Sequence, residues 1–413
     1  MWGFSNQTPE QILMKVLRIF STLGVAVLVS HAALASTSSQ EEPAQPAKEV
    51  SAKPVTDVTI FHKELAPYGE WLEVADRGWC WSPSGLDVDW RPYTRGRWAW
   101  SDADGWVWAS DFEWGWAPFH YGRWDFVEDL GWVWIPGTTW GPAWVSWRSG
   151  GDHVGWAPLP YSIGFGTELE IGDRDLDRLI RPFWWTFVPM RNFAEEHVQP
   201  YAVLAARNAT FLRETQPLPV LSTVKGHVFD HGIEVAAVER AMGRRVPHVA
   251  IQEAGAEAPR FTRVNDKAIT LFRPTIQVNP RAAYVVPATA HLPMVASPMD
   301  MEQAKVERGK ALEALRTRQQ ATAAELERVH EAERKTAVDE AQTRAINARH
   351  ALEVEALKQQ HERERAIVVR RFERAHPQGA RPVREGDPQQ GGRPQRGQEP
   401  QGKPKGERGR KPK

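Results

Sequence analysis

Aromatic residues recur at every second position in several short stretches of the chain, and this alternation predicts β-strands. Trp98 is two positions from Trp100. The same spacing separates Trp106 from Trp108, so in extended backbone each pair lies on one face. Residues 101–105 read Ser-Asp-Ala-Asp-Gly and predict a turn, because Asp bonds the local backbone and Gly adopts positive φ. The stretch is expected to form a β-hairpin with one face rich in indole.

This hairpin pattern occurs in full three times, and a fourth copy retains only part of it. It reads Gly-x-Trp, six residues, Gly-Trp-x-Trp, and begins at Gly69, Gly96 and Gly122, with offsets of 27 and 26 residues. A period in this range indicates a repeated supersecondary unit. Within residues 61–160 we expect an antiparallel meander of about six to eight short strands. The spacing is compatible with a barrel, a sandwich or an open sheet.

Cys80 is the only cysteine of the chain, so no internal disulfide supports the fold and packing must hold it. It occupies the position that Val107 and Val133 fill in the other copies. This indicates a small apolar residue in a sheet rather than a reactive thiol.

The N-terminal region predicts export to the periplasm or the extracellular space. A basic n-region, a short apolar run and a small-x-small cleavage site predict a signal peptide over residues 1–35. The thirteen residues before Met14 read as an upstream mis-start or an unusual extension, so initiation at Met14 is the alternative. An uncleaved N-terminal membrane anchor is the second interpretation. A Pro/Ala/Glu linker follows over residues 36–60.

Residues 161–299 are expected to be a Pro-rich segment of short strands, because frequent prolines forbid long helices. Strand candidates lie at 183–189, 224–229 and 269–272, and residues 233–242 predict a short helix that ends at Gly243. The segment either packs against the tryptophan-rich sheet or runs as an extended appendage.

Residues 300–376 predict a long charged helix or a coiled coil. The stretch from 301 to 376 has no proline, one glycine and recurrent Glu→Lys/Arg pairs at i,i+3, which stabilise a solvated helix. Apolar positions such as Leu315 and Leu326 recur every 11 residues rather than every seven, which disfavours a leucine-zipper seam. A weak coiled coil, a bare charged helix and a helical hairpin are the alternatives, and an unbroken helix would span roughly 110 Å.

The last segment, 377–413, contains ten bases and four acids and no aromatic residue. Such a composition predicts a basic disordered tail. It is either a solvated tail or a tether to anionic envelope polymers or lipid headgroups. The whole chain is therefore expected to be α+β in separate segments.

The charge balance of the repeats and the motifs that the sequence lacks exclude several classes of function. Residues 66–160 carry thirteen acids against six arginines and no lysine, which disfavours nucleic acid as a partner. The chain has no P-loop, dinucleotide fingerprint, nucleophile elbow or His-Glu-x-x-His motif. The carboxylates at 173–177 resemble the start of a calcium loop but lack its glycine and distal glutamate. We therefore expect no metal, no cofactor and no enzymatic activity.

The tryptophans have two interpretations. Most are expected to form the core, since each buried indole removes about 150–250 Å² from water. A row of exposed indoles would instead stack sugar rings. The candidate ligand-binding residues are those that lie outside the hairpin pairs: Trp114, Trp116, Trp140 and Trp144.

Several of these motifs resemble a known family. Residues 121–124, Tyr-Gly-Arg-Trp, residues 114–118, Trp-Gly-Trp-Ala-Pro, and residues 155–160, Gly-Trp-Ala-Pro-Leu-Pro, resemble uncharacterised bacterial exported proteins with tandem Tyr-x-Trp-Gly-x-Trp-type repeats. The resemblance covers about residues 65–275 and implies an envelope or secreted location. It implies no activity, catalytic residue or cofactor.

These observations predict a non-enzymatic exported scaffold or interaction protein of the cell envelope. The alternative is a glycan-binding module for peptidoglycan or exopolysaccharide, and the third interpretation is a glycan-active hydrolase. The expected partners are a glycan or an envelope protein. Helix 300–376 is a candidate for self-association.

Overall fold

The computed structural model describes residues 55–163, 176, 178–219, 221–224, 227–256, 258, 260–277 and 298–376. The expected signal peptide, most of the expected linker, most of the acidic motif at 173–177 and the expected basic tail lie outside these residues. In the part of the chain that is described, no helix combines the length and apolarity needed to cross a membrane.

The described strands are short and the two C-terminal helices are long. The strands are β1 Val55–Asp57, β2 Gly69–Val74, β3 Gly78–Pro83, β4 Gly96–Ser101, β5 Gly105–Ser110, β6 Arg123–Val127, β7 Gly131–Ile135, β8 Val145–Gly150, β9 His153–Pro158, β10 Thr186–Pro189, β11 Gln216–Pro217, β12 Leu221–Val224, β13 His227–Asp230, β14 Ala250–Glu253, β15 Arg263–Val264, β16 Ala268–Leu271 and β17 Thr275–Gln277. The helices are α1 Thr59–Leu65, α2 Asn208–Glu214, α3 Val235–Met242, α4 Pro298–Arg334 and α5 Glu340–Ala375.

The predicted hairpins form, as β2/β3, β4/β5, β6/β7 and β8/β9. In the second hairpin Trp98 lies opposite Trp108 and Trp100 opposite Trp106, so the indoles share one face as the alternation predicts. The turn before β5 uses Gly105 at φ +80°. A side chain there would also collide with the backbone of Asp230, because its Cβ would lie 1.8 Å from that carbonyl oxygen.

The hairpins do not follow one another within a single sheet. The first and third share a sheet of order β2-β3-β7-β6, in which Trp81 lies opposite Trp134. The second hairpin belongs to the sheet β12-β13-β5-β4, and the fourth to the sheet β10-β9-β8-β11. None of the sheets formed by the described residues closes into a barrel. The Pro-rich segment thus packs on the repeats, since it supplies edge strands to two of their sheets.

Both faces of the hairpins are covered. The light face of the second hairpin, with Ala99 and Val107, packs on Ile269 and Leu271 of the sheet β14-β16-β15. Cys80 is fully buried in a separate cluster that includes Val133, in agreement with the expected apolar role. Burial raises the pKa of the Cys80 thiol to about 12.

The indole face forms the main core. Of the nineteen tryptophans that the structure describes, fourteen are buried and five are partly buried, namely Trp71, Trp79, Trp90, Trp100 and Trp140. Aromatic rings meet at tilted and edge-to-face angles, as for Trp98 with Trp108 at 5.1 Å between centroids. Each such ring contributes several kcal/mol through burial, which is how a chain without disulfides holds many short strands together.

Indole N–H groups also fix the connections between hairpins. The last tryptophan of the first, third and fourth hairpins donates to a backbone carbonyl outside its own hairpin: Trp81 to Leu65, Trp134 to Tyr121 and Trp156 to Tyr93, at 2.7–3.1 Å. Phenylalanine would fill the core but could not donate these bonds. In the repeats, tryptophan therefore both fills the core and, through its indole N–H, forms hydrogen bonds to the backbone outside its own hairpin.

The C-terminal segment is a helical hairpin, which is one of the three alternatives that the sequence left open. The chain does not continue as one helix of about 110 Å, because α4 ends at Arg334 and α5 begins at Glu340. Asp339 caps α5 by accepting from the backbone N–H of Gln342 at 2.7 Å. The side chain of Gln342 accepts in return from the backbone N–H of Val338 at 3.1 Å, as in a capping box.

The shorter predicted helix is present in nearly the expected place. Helix α3 ends at Gly243, which adopts φ +67° and donates to the carbonyl of Glu239 at 2.9 Å. A glycine in the left-handed region is a common end for a helix.

Candidate functional site

A buried polar network joins the helical hairpin to α2 and to the residue before it, in the Pro-rich segment. It comprises His330 and Glu333 of α4, Arg349, His350 and Glu353 of α5, and Arg207 and Thr210 next to and within α2; we call these seven residues the clamp network. At its centre, Glu353 is 1% exposed. It accepts from His330 Nε2 at 2.8 Å and from Thr210 Oγ1 at 2.6 Å.

The second carboxylate of the clamp network is Glu333. It accepts from His350 Nε2 at 2.8 Å and from Arg207 and Arg349 at 2.5 Å each. Burial by itself raises the pKa of Glu333, but the hydrogen bond from His350 and the charges of the two arginines outweigh it, and the pKa is held below its usual value. The two carboxylates of the clamp network thus interact with arginine side chains that come from the helical hairpin and from the connector before α2.

The imidazoles of His330 and His350 stack with their centroids 3.7 Å apart. Each imidazole donates to a different carboxylate, His330 to Glu353 and His350 to Glu333, so the four side chains are engaged with one another. Within the described ranges, no group of three or more His, Cys, Asp or Glu side chains is arranged to hold a metal ion. The geometry is that of a structural polar network.

Apolar contacts and surface ion pairs extend the same interface. Leu326 and Leu357 are buried against Ala206. Arg318 pairs with Asp87 and Asp89, and Arg374 reaches Glu70 at 3.4 Å. From Arg318 to Arg374, the helical hairpin therefore contacts the first repeat, the connector before α2 and, through Arg370 and Asp129, the third repeat.

Between these contacts lies a cavity of about 420 Å³, which we call the hairpin cleft. This volume is within the roughly 300–1,000 Å³ of typical small-ligand sites. The first repeat, residues 199–205 and both long helices line it. Its lining is Asp87, Asp89, Trp90, Arg91, Thr94, Arg95, Gln199, Ala202, Val203, Leu204, Ala205, Thr322 and Gln360.

The arginines of the hairpin cleft form no direct ion pair within the described residues, although the carboxylates of Asp89 and Glu364 stabilise the charge of Arg91. Neither Arg91 nor Arg95 forms an ion pair with a carboxylate of the described residues, and Arg91 Nε is shielded from solvent without a hydrogen-bond partner there. Burial lowers the pKa of Arg91 to about 10, so the group stays charged at neutral pH. Arg95 lies over the Phe112 ring at 5.0 Å. An unpaired buried donor costs about 1–3 kcal/mol.

A separate buried carboxyl group lies beside the fourth hairpin. Asp230 is fully buried and accepts from Trp147 Nε1 at 2.7 Å. Burial raises the pKa of Asp230 well above its ordinary 3.8, and the hydrogen bonds from Trp147 and Gly232 offset this only in part.

The structure places the four candidate ligand-binding tryptophans apart from the hairpin cleft. Trp114, Trp116 and Trp144 are 5%, 1% and 4% exposed, and their rings belong to the aromatic core. In this conformation they present no open face on which a sugar could stack. The positions between hairpins are buried because they fill the space where neighbouring sheets meet.

Trp140 is the partly accessible member of the four. It lines a second cavity of about 300 Å³ together with Tyr121, Thr138, Thr139, His227, Val228, Arg273, Pro274, Thr275 and Ile276. Its ring is already covered in part, by the Arg273 guanidinium at 4.5 Å and by the His120 ring at 5.5 Å. The four residues therefore do not form one platform.

Residues 62–163 match the sequence model of a family of unknown function (DUF6600). The match spans all four hairpins and ends before the Pro-rich segment, α4 and α5. It confirms the resemblance at the level of an uncharacterised tryptophan-rich family. No curated protein matches the chain, and no solved structure matches it.

The hairpin cleft was missed from sequence because its lining comes from four stretches that are distant along the chain. One signal was present in the DUF6600 region. Two links between hairpins read Trp90-Arg91-Pro92 and Trp116-Ala117-Pro118. Arg91 thus stands where the second link has the buried Ala117.

Proposed function

We propose that this chain is a non-enzymatic, exported scaffold or interaction protein of the cell envelope. The observation that carries the proposal is the attachment of the helical hairpin to α2 and its preceding connector through the clamp network. A buried network with matched partners favours one arrangement over others, so the molecule presents its helices as a fixed surface. The proposal includes a relationship of this chain to bacterial exported proteins with Tyr-x-Trp-Gly-x-Trp-type repeats.

The outer surface of the hairpin supports a role in binding other macromolecules. It is mostly charged, and it carries exposed apolar side chains, among them Val306 at 50%, Leu352 at 58% and Val338 at 81%. A protein partner with alternating charge and small apolar pockets would fit such a surface. Self-association of the hairpin through the same surface is the related proposal, and sedimentation of the full chain tests it. The basic tail would contact anionic envelope polymers or lipid.

Site-specific photo-crosslinking in the producing cells tests the proposal. A photoreactive residue at Leu352, on the outer surface, is expected to give adducts with an envelope protein. The matched control is the same residue at Leu357, which is 5% exposed and packs with Ala206 of the connector before α2, and it should give intramolecular products only. Equal adducts from both positions, or none from Leu352, would contradict the scaffold proposal. An alkaline phosphatase fusion after residue 60 tests export separately.

Glycan binding is the second candidate, and the hairpin cleft is the observation that favours it. Its lining combines an indole with hydroxyl, amide and charged groups, which is the mixture that sugar recognition requires. Retention of the full chain on insoluble peptidoglycan or exopolysaccharide would support it. Release of new reducing ends from either polymer would favour the third candidate, a glycan-active hydrolase, over both others.

A further inference from the structure

Three contacts between a histidine and an aspartate join the Pro-rich segment to the second hairpin. In each of them the histidine belongs to the Pro-rich segment, and the aspartate lies in the turn before β5 or directly after that strand. The pairs are His248 Nδ1 with Asp102 Oδ1 at 2.8 Å, His197 Nδ1 with Asp111 Oδ2 at 3.4 Å, and His227 Nε2 with Asp104 Oδ1 at 3.5 Å. We call these six residues the histidine seam.

The strand pairing beside the histidine seam is short. Two of its attachments consist of one residue pair each: Asp230 opposite Gly105 between β13 and β5, and His248 opposite Trp100 of β4. The indole of Trp106 adds a hydrogen bond to the carbonyl of Ile233 at 2.7 Å. Because few backbone pairs hold these places, a change in the side-chain contacts there alters how tightly the Pro-rich segment is attached.

The contact at Asp102 depends most directly on the charge of its histidine. Asp102 Oδ1 accepts from Trp100 Nε1 at 2.9 Å and lies 2.8 Å from His248 Nδ1. Since the indole is neutral, His248 supplies the positive charge of this contact when its imidazole is protonated. His248 is 51% exposed and Asp102 73% exposed, so protons reach the pair from solvent.

Other charged groups lie beside the remaining two contacts. They are Arg273 at 3.6 Å from Asp104, Glu253 paired with Arg273, and Glu196 paired with Arg97 at 3.9 Å next to His197. Protonation of His227 thus brings a second cation to Asp104, which already faces Arg273. We expect the contact of His227 to contribute less than that of His248.

The three contacts share one response to pH. An imidazole ordinarily gains its charge between pH 8 and pH 5, whereas carboxylates ordinarily keep theirs over this range. Each contact is therefore an ion pair at pH 5.5 and a neutral contact at pH 8. We propose that the histidine seam is a pH-sensitive fastening, which holds the Pro-rich segment on the second hairpin more tightly as the surroundings become acidic. This goes beyond the scaffold role, because it concerns an attachment inside the molecule.

A double-mutant cycle on the full chain with His248→Gln and Asp102→Asn tests the proposal. Asparagine keeps an acceptor for Trp100, so the cycle isolates the charge interaction. Urea unfolding followed by tryptophan fluorescence gives the equilibrium constant at pH 5.5 and at pH 8. The coupling at pH 5.5 is expected to change this constant about two- to fivefold, as for other exposed ion pairs, and to vanish at pH 8. No coupling at pH 5.5, or equal coupling at both pH values, overturns the proposal.

A triple variant measures the histidine seam as a whole. His197→Gln, His227→Gln and His248→Gln are combined, and the loss in the unfolding equilibrium constant relative to wild type should be at least about fivefold greater at pH 5.5 than at pH 8. The matched control is His231→Gln, because His231 contacts the hydroxyl of Ser222 at 2.9 Å rather than a carboxylate. Its effect should be the same at both pH values. An equal loss at both pH values in the triple variant, or the same pH dependence in the control, overturns the proposal.

Discussion

Replacement of Glu353 by alanine removes the carboxylate at the centre of the clamp network. The change takes away the acceptor of His330 at 2.8 Å and of Thr210 at 2.6 Å, and it leaves Arg207 Nε, now 3.4 Å from Glu353, with one carboxylate fewer. Removing one partner of a buried ion pair costs about 3–5 kcal/mol, because the remaining groups stay buried without compensation. We expect a loss of this size in the free energy of unfolding.

The matched control lies two residues further along the same helix. Glu355 is 57% exposed and pairs with Lys358 at 3.8 Å, so Glu355→Ala should cost less than about 1 kcal/mol. Urea unfolding followed by far-ultraviolet circular dichroism reports mainly the long helices, and tryptophan fluorescence reports the repeats. In Glu353→Ala the helical signal should be lost at lower urea than the fluorescence signal, because the hairpin detaches first.

A small loss in the free energy of unfolding of Glu353→Ala would show that the clamp network has little role in stability. If Glu353→Ala and Glu355→Ala differ by less than about 1 kcal/mol, the network does not hold the hairpin in place. Coincident transitions by both probes in Glu353→Ala would show instead that the hairpin and the repeats unfold as one unit even without the carboxylate.

Three further predictions concern titrating groups. Because the pKa of Glu333 is lowered in the folded state, the ionised side chain stabilises the fold above its usual pKa of 4.5, and this contribution is lost as the pH falls below that value. Circular dichroism in acid should therefore show the helical hairpin detaching. In Glu333→Gln this pH dependence of stability should be absent. The pKa of Asp230 is raised, so the folded state retains a proton that the unfolded chain releases. The free energy of unfolding should then fall by about 1.4 kcal/mol per pH unit above 3.8, until the folded-state pKa is reached, and chemical denaturation of Asp230→Asn should lack this slope. Cys80, with its pKa raised to about 12, should react with a thiol reagent at pH 8 only after denaturant is added; rapid labelling of the folded protein would contradict its burial.

Much of the fold could be predicted from the sequence because the patterns that specify it lie within short stretches of the chain. The alternation of Trp98, Trp100, Trp106 and Trp108 specified the second hairpin, and Gly243 marked the end of α3 within one turn of the chain. The order of hairpins in the sheets was not readable, since the pairing of Trp81 with Trp134 is a long-range choice that no short pattern records. The break between α4 and α5 had a local signal, the capping box from Asp339 to Gln342, but the charge pattern on both sides of it resembles one continuous helix.

The candidate site was less predictable than the fold. Position outside the hairpin pairs suggested ligand binding for Trp114, Trp116 and Trp144, but these positions lie where sheets meet and are buried there. The clamp network joins residues more than 100 positions apart, such as Thr210 and Glu353. Sequence gives no measure of such proximity.

The central claim is that the repeated indoles form an internal core on which the helical hairpin is fixed. Tryptophan emission of the intact protein, measured with and without acrylamide, tests it most directly, since fourteen of the nineteen described indoles are buried. The claim predicts blue-shifted emission, weak quenching, and no change on addition of peptidoglycan or exopolysaccharide fragments. Red-shifted emission that acrylamide quenches strongly in the folded protein would place the indoles at the surface and contradict the account.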